Sequence, residues 1–175
     1  MEKLFYMDKT AFSSSEDAAK HVLSQYFNLP SAKVVKNELG KPFIENTPYK
    51  LFLSVSHTDE LLFIAVCDEN VGIDAELKTR DVAYAHIVKR FPDDERAEIH
   101  NSADFLRHWT VKEAAVKWLG GKLAKDLKKL RYVDGRLTYD GIDVPVRITE
   151  KHVNGHVLSI CSERDFEKSE IIAFP

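Results

Sequence analysis

Three apolar runs crowded between residues 51 and 76 restrict the fold of this 175-residue chain more than any other feature. Leu51-Phe52-Leu53-Ser54-Val55-Ser56 and Leu61-Leu62-Phe63-Ile64-Ala65-Val66-Cys67 are built from strand-forming residues, and the polar quartet His57-Thr58-Asp59-Glu60 between them reads as the turn of a hairpin. Asp68-Glu69-Asn70 then turns the chain into Val71-Gly72-Ile73-Asp74-Ala75-Glu76. A three-stranded antiparallel patch over residues 51–76 is the expectation.

Helical periodicity flanks this patch. Over residues 14–27, Ala19, Val22, Leu23, Tyr26 and Phe27 recur at the spacing of an apolar stripe, and Ser13 and Glu16 have the spacing of a capping box. Asn28-Leu29-Pro30 ends the run. Residues 32–36 read as a short edge strand leading to the turn Gly40-Lys41-Pro42. Residues 81–101 are charged and read as helix in pieces, broken at Pro92, whereas a second long helix is predicted over 102–118 with its stop at Gly120-Gly121. Beyond it, residues 137–139, 144–149, 157–161 and 171–174 read as short strands joined by turns such as Asp134-Gly135 and Asn154-Gly155. Helices and antiparallel strands are segregated, which predicts an α+β fold rather than a doubly wound sheet. No dinucleotide-type glycine fingerprint and no Walker loop occurs.

The chemistry concentrates in three acids. Asp74 and Glu76 stand at i and i+2 of a strand, so both project from one face, while Val71, Ile73 and Ala75 bury the other. On the long helix, a 100° step per residue puts Glu113 on a stripe with Leu106, Trp109 and Val116. An ionised carboxylate there is costly unless it is paired or bound to a metal. Glu113 alone reads as an i, i+4 pair with Lys117; Asp74 and Glu76 add the reason to expect a cation, and hard oxygen donors favour Mg²⁺ or Mn²⁺ over zinc.

Composition excludes several classes. Net charge is −3 and the pI near 6.2, so no global basic field argues for nucleic acid or an anionic membrane. Hydrophobic content of 44% with 30% charged residues suits a self-sufficient globular chain. Cys67 and Cys161 lie far apart in apolar runs and read as free thiols in a reducing compartment, with the cytoplasm as the default. No window matches a membrane span or a signal peptide.

Gly72-Ile73-Asp74-Ala75-Glu76, together with Trp109-Thr110-Val111-Lys112-Glu113 and Lys117, strongly resembles the motifs of the 4′-phosphopantetheinyl transferase superfamily, of the surfactin-synthetase-activator (Sfp) type. Gly40-Lys41-Pro42 and Ser54-Val55-Ser56-His57 resemble two further family motifs in the same order, so the likeness covers about residues 15–130. It implies two similar α+β halves in a pseudo-twofold arrangement, about 1–70 and 71–175 here, with coenzyme A between them. It implies transfer of the phosphopantetheine arm of coenzyme A to a serine of an acyl, peptidyl or aryl carrier protein. By motif match, Asp74, Glu76 and Glu113 hold Mg²⁺; Glu113 is the candidate base; Lys117 neutralises the departing phosphate; Lys41, Ser56 and His57 contact coenzyme A.

One departure and one rival accompany the likeness. Family members of this type carry more residues before the first helix, including basic ones that hold the 3′-phosphate, whereas Lys20 and His21 are the nearest basic candidates here; the chain reads as a compact or a diverged member. Lys112 points to another helix face and reads as a solvated charge or a carrier contact, as do Lys122, Lys125, Lys128, Lys129 and Arg131 after the long helix and Lys78 and Arg80 after the strand of the two acids. Residues 82–91 offer an apolar docking segment, and Trp109 and Trp118 are assigned to packing. A noncatalytic module of the same fold, binding a carrier protein or a nucleotide, is the alternative; the intact acids and Lys117 favour the enzyme. Two halves in one chain predict a monomer.

Overall fold

The computed structural model describes the backbone of residues 1–175 and the side chains of all but Leu123 and Ala124. In chain order the elements are β1 (Glu2–Asp8), α1 (Ser15–Gln25), β2 (Lys33–Lys36), β3 (Pro42–Glu45), β4 (Phe52–His57), β5 (Leu61–Cys67), β6 (Val71–Leu77), α2 (Ala85–Val88), α3 (Asp93–Arg96), α4 (Ser102–Leu119) and α5 (Leu123–Asp126). There follow β7 (Leu130–Val133), β8 (Arg136–Tyr139), β9 (Ile142–Asp143), β10 (Arg147–Val153), β11 (His156–Ser162) and β12 (Ile171–Ala173). The class is α+β, as expected.

The expected patch over residues 51–76 divides between two sheets. β4 and β5 form the hairpin, but the other neighbour of β5 is β1, with Phe5 opposite Ile64, and the sheet order is β12-β1-β5-β4. β6 leaves for a second sheet of order β10-β11-β6, with Ile73 opposite Ile160. The physical reason lies at Gly72. A Cβ there would come 2.0 Å from the Ala114 carbonyl oxygen and 2.6 Å from the Trp118 nitrogen, so β6 lies flush against α4 and belongs to the sheet that α4 covers. Two smaller sheets, β2-β3 and β7-β8-β9, complete the described topology.

Strand alternation sorts the side chains into layers. In β5, Leu62, Ile64 and Val66 join Phe5, Ala19, Val22 and Leu23 under α1, whereas Phe63, Ala65 and Cys67 face the second sheet. Leu4 meets Ile73, Ala75, Leu158, Ile160 and Phe166 between the two sheets. On the outer side of the second sheet, Val111, Ala114 and Ala115 of α4 pack with Cys161, Leu130 and Leu137. The order is helix, sheet, sheet, helix. The last strand, β12, returns to the first sheet and pairs parallel with β1, Leu4 opposite Ile171.

Helix ends follow local chemistry. The capping residue of α1 is Ser14, which accepts from the Asp17 N–H at 3.1 Å, one position later than the expected Ser13; the Glu16 carboxylate instead pairs with Lys36. Asn101 caps α4 by accepting from the Asp104 N–H at 3.0 Å, and Gly120 ends it at φ +70°. Pro145 delays β10, which begins at Arg147 rather than at Val144. Among the described residues, no helix is long and apolar enough to cross a membrane.

Candidate active site

Alternation along β6 sends Val71, Ile73 and Ala75 into the layer between the sheets and leaves Gly72, Asp74 and Glu76 on the face that α4 covers. β4 and β6 are the facing edges of their two sheets, and two serines join them. Ser54 Oγ accepts from the Ile73 N–H at 3.0 Å, and Ser56 Oγ accepts from the Ala75 N–H at 3.2 Å. The two-residue spacing of the serines matches that of the N–H groups, so side chains satisfy an edge that no ladder bonds. Ser56 also donates to Asp74 Oδ1 at 2.9 Å, which fixes that carboxylate at 7% exposure.

From α4, Lys117 reaches the same carboxylate. Its Nζ donates to Asp74 Oδ1 at 2.8 Å and to the Ile73 carbonyl at 2.9 Å, so it does not serve Glu113 as the simple i, i+4 reading supposed. Glu113, one turn earlier, is half-buried. Burial and the negative charge of Asp74 push its carboxyl up to about 7, with Lys117 pulling the other way and Glu76 adding a smaller push. Glu76 and Glu113 line a common depression of about 250 Å³, where Arg80 ion-pairs with Glu76. The predicted acids therefore share one locality. Among the described residues, however, no group of three or more His, Cys, Asp or Glu side chains is arranged to hold a metal ion by itself.

The remaining predicted residues surround this point. His57, exposed at the end of β4, opens onto a cleft of about 430 Å³ whose walls include Lys9, Thr58, Glu76, Arg80 and His156. Lys41 donates to Asn70 Oδ1 at 2.6 Å and to the Trp118 carbonyl at 2.9 Å, tying the β2–β3 turn to the end of α4; burial pushes its ammonium down to about 8. Lys41 and Lys117 line a further depression of about 180 Å³ with Ser54. Of the N-terminal basic candidates, His21 packs against the rings of Phe12 and Phe174, and Lys20 is exposed on α1.

Lys112 corrects the sequence reading outright. It is wholly buried, its Nζ donating to Glu95 Oε2 at 2.6 Å and to the Leu130 carbonyl at 2.5 Å, with the Phe91 ring 4.3 Å away. Glu95, equally buried, also meets His108 Nδ1 at 3.2 Å. In the structure α4 buries Phe105, His108, Val111 and Ala115 as well as its Leu106 and Val116 side, so its buried surface wraps most of the helix and takes in Lys112. Residues 82–91 likewise turn inward, with Val82, Tyr84, Ile87 and Val88 packed on Phe105 and Leu106. In the basic cluster, Lys129 pairs with Asp140 at 3.0 Å and Arg131 with Asp94. Lys9 is the residue near the acids that sequence reasoning missed, because it lies in no motif, and Arg80, read as part of a basic carrier-facing cluster, instead pairs with Glu76.

Comparison with known proteins places the chain in a family. The chain is 31% identical over 107 residues, 56% of its length, to the 4′-phosphopantetheinyl transferase gsp of Aneurinibacillus migulanus. The match takes in 43% of that relative, so the chain spans less than half the length of the protein it matches. The family model of the 4′-phosphopantetheinyl transferase superfamily matches residues 70–161, a segment that carries Asp74, Glu76, Glu113 and Lys117 but not Lys41, Ser56 or His57. That segment is more than half of the chain, and the chain belongs to the 4′-phosphopantetheinyl transferase superfamily.

Proposed function

We propose that the chain transfers the 4′-phosphopantetheine arm of coenzyme A to a serine of an acyl, peptidyl or aryl carrier protein, releasing adenosine 3′,5′-bisphosphate. The observation that carries this reading is the meeting of Asp74 from β6 with Lys117 from α4 at 2.8 Å, one helical turn from Glu113, inside the segment the family matches. In the reaction the serine oxygen bonds to the phosphorus that bears pantetheine, the pyrophosphate P–O bond breaks, and the serine proton leaves to a base.

Asp74, Glu76 and Glu113 would hold Mg²⁺ or Mn²⁺. The donors fit such an ion: all are hard oxygens, and burial together with the negative charge of Asp74 and, less, of Glu76 makes the Glu113 carboxylate costly without a cation. Mg²⁺ usually takes one or two carboxylates and completes its shell with water and phosphate oxygens, so a finished protein cage is not required. Bound there, the ion would offset the charge of the coenzyme A pyrophosphate. Lys117 would neutralise the departing phosphate. Glu113, or a water beside it, would take the serine proton; ligation to the ion lowers the basicity of the carboxylate, which favours the water. Ser56 would keep Asp74 oriented, and His57 and Lys41 would contact coenzyme A.

The reading also includes two halves of about 1–70 and 71–175 in pseudo-twofold relation, supported by the packing of one long helix, α1 or α4, on each main sheet. A monomer working in the cytoplasm is proposed with it. The experiment is a mass spectrum of an apo carrier protein incubated with the chain, coenzyme A and Mg²⁺. One added phosphopantetheine per carrier is expected, lost with Asp74→Ala. Failure across fatty-acid, polyketide and peptide carriers would sink the catalytic reading.

A further inference from the structure

Two of the three acids are already held by cations of the chain itself. Lys117 occupies Asp74, while the Arg80 guanidinium pairs with Glu76 from four residues further on. The turn after β6 makes this reach: the Arg80 N–H donates to the Leu77 carbonyl at 2.9 Å, which folds the chain back on the strand end. Arg80 is 53% exposed and Glu76 13%, so the pair sits at the rim of the acid cluster with its cation outermost. The same side chain lines both depressions that flank Glu76, one shared with Glu113 and the other with Lys9 and His57.

We propose that Arg80 is a positioning residue that holds Glu76 in the cation-free protein, yields the carboxylate to a divalent cation, and then turns to an anionic oxygen of the substrate in the cleft it shares with Lys9 and His57. The inference rests on the reading of Glu76 as a cation ligand. A guanidinium and a divalent ion compete for one carboxylate, so any anion that draws Arg80 away favours the ion, and by linkage the ion favours the anion. Arg80 thus couples the loading of cation and phosphate: the acids disfavour the anion alone, and the guanidinium competes with the cation for Glu76. Being exposed, the pair is weak, and its removal shifts a competing equilibrium by no more than about five-fold.

The test titrates Mn²⁺ alone, followed by the electron paramagnetic resonance of the free ion, into the wild-type chain and the variants Arg80→Ala, Arg80→Lys, Lys78→Ala and Asp74→Ala. Lys78 is an exposed lysine two residues from Arg80, outside the ion pairs described, so it reports the general loss of one positive charge. Arg80→Ala is expected to bind Mn²⁺ about three- to five-fold tighter, Arg80→Lys to fall between it and wild type, and Lys78→Ala to stay within about 1.5-fold. Added sulfate, an oxyanion that binds Mn²⁺ only weakly in solution, should raise Mn²⁺ affinity more in wild type than in Arg80→Ala. Unchanged or weaker binding by Arg80→Ala, or an equal gain from Lys78→Ala, overturns the role of Arg80. If wild type binds Mn²⁺ and Asp74→Ala does not, that failure is confined to Arg80; if no variant binds the ion, the reading of the cation site falls as well.

Discussion

Helix α4 carries two lysines five residues apart, each paired with a carboxylate, and the pairs differ in what surrounds them. Lys112 and Glu95 are both wholly buried, joined by the Leu130 carbonyl and the Phe91 ring. Lys117 and Asp74 keep 29% and 10% of their side chains exposed, and Lys117 lines a depression open to solvent. Five residues are about 140° of helix rotation, so one lysine points into the packed side and the other toward the seam between the sheets. Burial depresses the Lys112 ammonium despite the attraction of Glu95, which shows the cost of desolvating it. A pair with no route to solvent can only hold elements together; a pair at a cleft can exchange its partner for a substrate.

Breaking the buried pair should have the largest effect. Lys112→Ala strands the Glu95 carboxylate and is expected to lose about 3–5 kcal/mol in urea unfolding, whereas Lys112→Met with Glu95→Leu should recover most of it. A loss under about 1 kcal/mol from the single variant would contradict the burial of this pair. Next, Lys117→Ala should lower phosphopantetheine transfer by about 10²-fold while changing stability by less than about 1 kcal/mol. Equal effects of the two lysine variants on stability would erase the distinction drawn here.

A third comparison concerns pH. The Glu113 carboxyl is raised in the fold from its ordinary 4.5 to about 7, so the fold favours its neutral form. That advantage is fully present below about 4.5 and is lost as pH rises through about 7. In chelator, Glu113→Gln should therefore match wild type near pH 4 and exceed it at pH 8 by about 1–2 kcal/mol, the full shift being discounted for partial exposure. Urea midpoints at the two pH values decide this; a Gln variant that is no more stable at pH 8 would mean the acids are already compensated. The smallest effect is the few-fold change in Mn²⁺ affinity expected of Arg80→Ala.

Much of the site was legible because its signals are local. The period of two in Val71-Gly72-Ile73-Asp74-Ala75-Glu76 put both acids on one face, and the helix over 102–118 ends within a residue of the observed Leu119. The partner of β6 was not legible. A short turn after β5 suggested a third hairpin strand, and only the contact of Gly72 with α4 shows why the strand leaves for the other sheet. β1 escaped notice for a related reason: Leu4 and Phe5 are both buried, on opposite faces of a sheet covered from two sides, so its pattern shows no apolar-polar alternation. Lys112 was misread because a charge is expected at the surface until its buried acid, seventeen residues away, is in view.

By itself the sequence determined the periodicities, and hence which side chains share a face of each strand or helix, because those depend only on backbone geometry repeated every two or 3.6 residues. It also determined the three acids, Lys117 and the stop of α4 at Gly120-Gly121. Tertiary structure decided which faces meet. It set Ser54 and Ser56 against the N–H groups of β6, brought Lys117 to Asp74 rather than to Glu113, and enclosed Lys112 while leaving Arg80 at the rim. Desolvation and charge pairing depend on distances between groups far apart in the chain, so no local pattern could have sorted the structural ion pair from the exchangeable ones.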